Sequence, residues 1–358
     1  MAGPVLVQSA DLSAPRKRLI ATLAVFLVLN AVVTVLSVWA HLWWAIAAVN
    51  FVLLVVIAEN AAPLIPGKRL QAYERALAIA FPLLLLVGWE LLVAGDILNP
   101  NWFPPPTRIA GAVWSIATEQ DQFTGTSLFG RPWRLPQYIA EDGPAGAQTL
   151  IQESHLFATL LRVFAGFLIG TVPGLVLGVA MGVSGTIRRM IDATLSAFYV
   201  LPKIAIFPIM MLVFPNPFGE GPKIAVVAIS AFFLVTINTM VGVRDIEPVL
   251  IEAGRNYGAR GLTMLRHVII PAAMPVIFAG LRLALGTALI VIIAIEFVRS
   301  QTGVGFLTFY YWEILAPEKM YAGLVVVMIL GVSLTAGLTA LERAAMPWRR
   351  ELRTRRKA

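Results

Sequence analysis

Cysteine is absent from all 358 residues, which excludes disulfides, thiolate metal sites and a cysteine nucleophile. Histidine is nearly as scarce: His41, His155 and His267 lie far apart in sequence, so no histidine-based metal site is expected. Charge is also thin. Charged residues make up 13% of the chain, against about a quarter in an ordinary soluble domain, while 58% of residues are hydrophobic. Such a composition excludes a soluble globular domain and identifies an integral membrane protein. The phosphate-loop pattern G-x-x-x-x-G-K-[ST] is missing as well, its nearest relative being PGKR at 66–69, so the chain by itself has no phosphate loop for nucleotide hydrolysis.

The charge that remains is uneven. A net +8 raises the question of nucleic acid, but Arg343, Arg349, Arg350, Arg353, Arg355, Arg356 and Lys357 crowd the C-terminus directly after an apolar run. That placement marks a cytoplasmic membrane-flanking tail, and no nucleic-acid partner is expected.

Apolar runs of spanning length fall at about 19–38, 41–58, 76–95, 156–182, 193–214, 223–243, 276–298 and 320–341. The expected fold is therefore an all-α, polytopic transmembrane helix bundle of about eight spans. The first two runs are separated only by Trp39 and Ala40, so they form a tight hairpin or one of them lies at the interface. Short basic loops orient the bundle: RKR (16–18), GKRLQAYER (67–75), SGTIRRMID (184–192) and the tail alternate in register with cytoplasmic ends, which puts both termini in the cytoplasm. Segment 96–154 carries three basic residues (Arg108, Arg131, Arg134) against six acidic ones (Asp96, Glu119, Asp121, Glu141, Asp142, Glu153) and is expected outside. Its WFPPPTRIAGAVWSIA portion predicts an extended start and then an amphipathic helix; the following TGTSLFGRPWRLPQYIAEDGPAG predicts irregular loop. Gly166, Gly170, Gly174, Gly178 and Gly182 recur every fourth residue, a pattern of close packing against a neighbouring helix.

One cytoplasmic segment is unlike the rest. IEAGRNYGARGLTMLRHVIIPAAMP (251–275) is polar and glycine-bearing between two apolar runs. Glu252–Asn256 predicts a short helix, Gly258 a turn, and ARGLTMLRHVII a second, amphipathic helix ending at Pro271, with Leu262, Leu265 and Ile269 on one face and Arg260, Arg266 and His267 elsewhere.

That segment resembles the EAA motif of binding-protein-dependent ABC importer permeases: EAA, three residues, glycine, nine residues, I-x-L-P. Glu252, Ala253, Gly258, Val268, Ile270 and Pro271 stand at its positions, with Gly254 replacing the second alanine, Val268 an isoleucine and Ile270 a leucine. WELL (89–92), FPPPTRI (103–109), HLFATLLRVFAGFLIG (155–170), LPKIAIFP (201–208), GLRLALG (280–286), AIEFV (294–298), GVGFL (303–307) and LERAAMPW (341–348) extend the resemblance over about 76–349, towards the nitrate/sulfonate/taurine branch. The resemblance implies a six-span permease core at 76–349, preceded by an extension with two candidate spans at 1–75 and followed by the basic tail at 350–358. It further implies a bacterial inner-membrane subunit that works as a homodimer with two ABC ATPase subunits and an extracytoplasmic solute-binding protein. It implies, too, that no cofactor is bound by this chain, ATP being used by the partner ATPase. The coupling residues implied are Glu252, Ala253, Gly258, Leu262, Leu265, Arg266, Ile269 and Pro271, the helix after the glycine acting as a lever in a groove of the ATPase.

Ionisable residues within or at the ends of spans need partners or water. Helix-to-helix pairing or snorkelling is the expected role of Arg162, Lys203 and Glu90, whereas Arg282 and Glu296 fall at opposite ends of one span and are not expected to pair with each other. Lys223 sits at a span boundary. Phe207, Met210, Met211, Asn238 and Thr239 are the candidates for a translocation pathway, and Pro202 and Pro208 predict a kinked or broken span. An ion-coupled secondary transporter, the rival class, calls for an acidic relay at mid-membrane, and the spans contain no acidic cluster there.

Overall fold

The computed structural model describes residues 13–36, 39–120, 125–143 and 146–348. The basic tail beyond Trp348 lies outside them. Among the described residues there is no β-strand, only an isolated bridge between Ser127 and Ser154. Contacts divide the chain into two compact units, Met1–Arg108 and Ile109–Ala358.

The first unit holds α1 (Ser13–Val35), α2 (Trp39–Ala61) and α3 (Gly67–Ala94). The first two form a hairpin. Asn30 and Asn50 exchange side-chain amide hydrogen bonds of 2.7 and 3.1 Å, and Asn60 reaches Thr22 Oγ1 at 3.4 Å, so each polar group meets another across the seam instead of facing lipid. Tyr73 on α3 donates to the Ala58 carbonyl on α2. At the end of α3, Glu90 accepts from the backbone and hydroxyl of Thr107 (3.1 and 2.7 Å).

The second unit starts within α4 (Pro106–Thr118), an amphipathic helix as its pattern predicts, with Ile109, Ala112 and Ile116 buried and Trp114 exposed. The stretch expected to be irregular instead contains α5 (Leu135–Asp142), followed by α6 (Gly146–Glu153). Pro136 stands in the first turn of α5, where the missing N–H interrupts no helical bond, so proline starts this helix rather than preventing it.

The helices that follow carry most of the unit's apolar length. They are α7 (His155–Val183), the pair α8 (Gly185–Val200) and α9 (Lys203–Val213), α10 (Glu220–Arg244), and, after α11 (Pro248–Asn256), a continuous helix over Gly261–Val298. That helix comprises α12 (Gly261–Met264), one wide turn (Leu265–Ile269) and α13 (Ile270–Arg299). α14 (Val304–Glu313) and α15 (Pro317–Ala345) come next. Among the described residues seven helices are long and apolar enough to cross a membrane, or eight if the α8–α9 pair, bent by 99°, is one broken span.

The α7 glycines face α10. A Cβ on Gly166, Gly178 or Gly182 would stand 2.6 Å from the Cβ of Val227, Thr239 or Val243, and one on Gly170 would stand 2.1 Å from the Ala228 carbonyl oxygen. The repeat therefore brings two backbones together within one chain. Gly280 repeats the device between α13 and α10, where a Cβ would come within 2.3 Å of Asn238 Cβ.

Candidate functional site

The chain leaves α10 after Arg244 and forms α11, with Pro248 in its first turn. Gly254, standing where the motif has alanine, is buried: a Cβ there would meet Val268 at 3.0 Å and the Met264 sulfur at 3.1 Å. The departure from the motif thus lets α11 lie closer to the helix that follows it. Tyr257 ends α11, and Gly258 turns the chain with φ +81° while Ala259 N–H donates back to the Gly254 carbonyl at 2.9 Å. A second left-handed glycine follows, Gly261 at φ +51°. The motif spacing points only to Gly258; a second glycine three residues later in a polar stretch is the signal for the other.

Past this turn the structure corrects two expectations. The second helix does not end at Pro271 but runs on through it. In the wide turn Ile270 N–H donates to the Leu265 carbonyl, one residue further back than in an α-helix, and this shift at the residue before Pro271 makes room where its ring would otherwise collide with the preceding turn. The inward face also differs. Met264 is buried and Leu265, Val268 and Ile269 are half-buried, whereas Leu262 is 77% exposed. Glu252, Ala253, Arg266 and Tyr257 are exposed too, the last at 93%. The segment thus presents a rigid, doubly glycine-turned knob with apolar and basic groups on its outer surface.

The pathway candidates are placed differently. Phe207 is buried in the main core cluster, and Met210 and Met211 pack half-buried against it. Asn238 turns its amide to the Leu234 carbonyl (2.8 Å) at the α10–α13 seam. Thr239 is buried against Gly178 of α7, its hydroxyl without a hydrogen-bond partner among the described residues.

The ion pairs that join the long helices sort into two groups at opposite ends. Arg162 is fully buried and uses all five N–H donors. Nε and Nη2 bond to Glu220, Nη1 to Glu296 (2.7 Å) and the Thr302 carbonyl (2.7 Å), and Nη2 also to Thr302 Oγ1 (3.0 Å). Glu296, also fully buried, accepts in addition from Thr159 Oγ1 and from Gly305 N–H at 2.9 Å. Lys223 bridges Glu220 and Ser300, each at 3.2 Å. Gly303, at φ +121°, has room for no side chain, since a Cβ would lie 2.2 Å from the Glu296 carboxyl carbon. The network clamps the starts of α7 and α10, the end of α13 and the 300–305 turn together. Towards the other end of α13, Arg282 pairs with Glu342 of α15. Pairing across helices is thus the role of Arg162, and Arg282 and Glu296 each find a partner other than the other.

The chain is similar to known proteins. Residues 174–346 match the family described as the binding-protein-dependent transport system inner membrane component. The taurine transport system permease protein TauC of Escherichia coli (strain K12) is 29% identical over 276 residues, covering 77% of this chain and 90% of its own length. A probable ABC transporter permease protein of Brucella melitensis biotype 1 is 30% identical over 196 residues, covering 54% of this chain and 78% of its own. A solved structure of the MetNI methionine ABC transporter, inward facing, aligns with TM-score 0.49 and 23% identity, covering 53% of this chain and 94% of that one. With a multi-pass helical bundle, an EAA-like knob and relatives of nearly full length, the chain belongs to the inner-membrane components of binding-protein-dependent transport systems, the permease subunits of ABC importers.

Proposed function

We propose that two copies of this chain form the translocation pathway of an importer for a small solute with an anionic oxygen group, of which a sulfonate such as the zwitterion taurine is the leading case and nitrate the next. An extracytoplasmic binding protein delivers the solute, and two separate ABC ATPase subunits, which bind the ATP, grip the knob at 248–271. Both termini lie in the cytoplasm, on the side of the knob and of the basic loops. The observation that carries the coupling is the continuity between an exposed, left-handed glycine turn and a 38-residue helix that crosses the unit, because force applied at Tyr257, Leu262 and Arg266 has a stiff element to act on. The substrate class is supported by the taurine permease among the relatives and by the motifs of that branch. Met210, Met211 and Asn238 are assigned to the pathway wall, with Phe207 and Thr239 backing it in this conformation.

Reconstitution tests the reading directly. Vesicles holding the permease, its ATPase and its binding protein should accumulate labelled taurine, isethionate or nitrate only with ATP inside the ATPase compartment. Accumulation without ATP, or an ATPase that never co-purifies with the chain, would reject the coupling.

A further inference from the structure

Four of the cations in or at the edges of the spans of the second unit were singled out by the sequence, Arg162, Lys203, Lys223 and Arg282, and the structure gives carboxylate partners to three of these. Arg162 and Lys223 share Glu220, Arg162 also holds Glu296, and Arg282 holds Glu342. Lys203 is the exception: among the described residues no carboxylate faces it. Its ammonium donates to the carbonyls of Tyr199 and of Leu201, the latter at 3.0 Å, and lies over the rings of Tyr199 (5.1 Å) and Phe233 (5.8 Å).

Its depth follows from Phe233, which stands midway along the 25-residue α10. With roughly 18 Å of helix on either side of that ring, the ammonium sits near the centre of the bilayer, too far from either surface to snorkel. It sits there because the chain breaks there. Pro202 follows α8 and Lys203 opens α9 at a 99° bend. Tyr199, Val200, Leu201 and Ile204 around the break are exposed on this chain, so the bend faces out of the unit, not into its core. An ammonium has three donors, and two carbonyls leave one. Carbonyl dipoles and aromatic faces hold the cation without neutralising it, which is the arrangement a transient anion needs: enough attraction to enter a mid-membrane site, and no permanent counter-ion to displace.

We propose that Lys203 is the charged contact for the transported anion at the middle of the translocation pathway, a specificity-determining residue set at the broken span. The proposal rests on the anion-import reading above and deepens it. The alternative role, a cap that merely stitches α8 to α9, uses the same two carbonyls but assigns the charge no ligand.

The test uses the full transporter in vesicles with isethionate as the anionic probe. Lys203→Met is expected to lower ATP-driven isethionate uptake about tenfold to a hundredfold, the scale of one charge-assisted hydrogen bond, with ATPase binding and basal ATP hydrolysis retained. Lys203→Arg is expected to restore most of it. Unchanged uptake by Lys203→Met beside a wild type that does import isethionate overturns the role of Lys203 and leaves the anion reading standing. A wild type that imports none of taurine, isethionate and nitrate overturns the reading and this inference together. A second measurement avoids dependence on variant folding: amidination of Lys203 by methyl acetimidate in the wild type, followed by mass spectrometry, should slow in saturating isethionate and not in a neutral sulfone of similar size. Equal rates in the two would reject the contact.

Discussion

At the residue scale, Arg162 and Gly258 show two kinds of constraint. Arg162 is held by bonds from every donor it has, with none of its own surface exposed. Arg162→Met should destabilise the unit by about 3–5 kcal/mol, because Glu296 would be left buried and charged; a fall in thermal midpoint of the purified protein checks it, and a double change that also replaces Glu296 by Gln should recover part of the loss. Gly258 is constrained by backbone angle alone, since nothing lies within 4 Å of a Cβ built there. Gly258→Val should strain the turn by about 1–3 kcal/mol and weaken ATPase association or coupling while the thermal midpoint of the membrane core stays put; normal coupled transport in this variant would argue against the turn as the grip. The sequence already pointed to Gly258 through motif spacing and, through the cost of burying charge, to either cross-helix pairing or snorkelling for Arg162. Which carboxylates pair with Arg162 was not legible, because Glu220 and Glu296 lie 58 and 134 residues away and only the packing of three helices brings them together.

Elements carry the next level of argument, and the α7–α10 seam is the clearest. Gly170→Leu would force a side chain into the Ala228 carbonyl, so the helices must separate, at a cost of about 1–3 kcal/mol or more. Gly88→Leu on α3, where nothing lies within 4 Å, is the matched control and should leave the midpoint nearly unchanged. Thermal unfolding of the two variants in detergent separates a packing role for the repeat from a generic penalty for replacing glycine. The fourfold spacing of these glycines announced a close approach, and the apolar runs announced most spans, since both follow from local periodicity. Three features were not readable that way. Pro136 starts a helix where a proline-rich stretch suggested loop, Pro271 is carried through by a wide turn, and Met264 rather than Leu262 is buried because Met264 packs on Gly254 of α11. Each depends on a backbone hydrogen bond or a packing neighbour that a pattern of apolar residues does not encode.

For the whole molecule, orientation is the quantity that function depends on most, and the absence of cysteine makes it measurable without removing native thiols. Tyr257→Cys, at a position 93% exposed, should react with a membrane-impermeant maleimide only from the cytoplasmic side, and Trp133→Cys, 73% exposed, only from the opposite side. Reaction of both from one side would overturn the topology. The 38 residues of Gly261–Val298 then acquire a dimension: about 57 Å if straight at 1.5 Å per residue. Pivoted at its base, a rod of that length sweeps its tip through about 10 Å for a rotation of about 10°. Glu296 near that tip is fastened to α7 and α10 through Arg162, so the swing has to be shared by three helices at once. A small angular stroke at the knob would thus emerge at the far side of the bilayer as a displacement wide enough to pass a small ion.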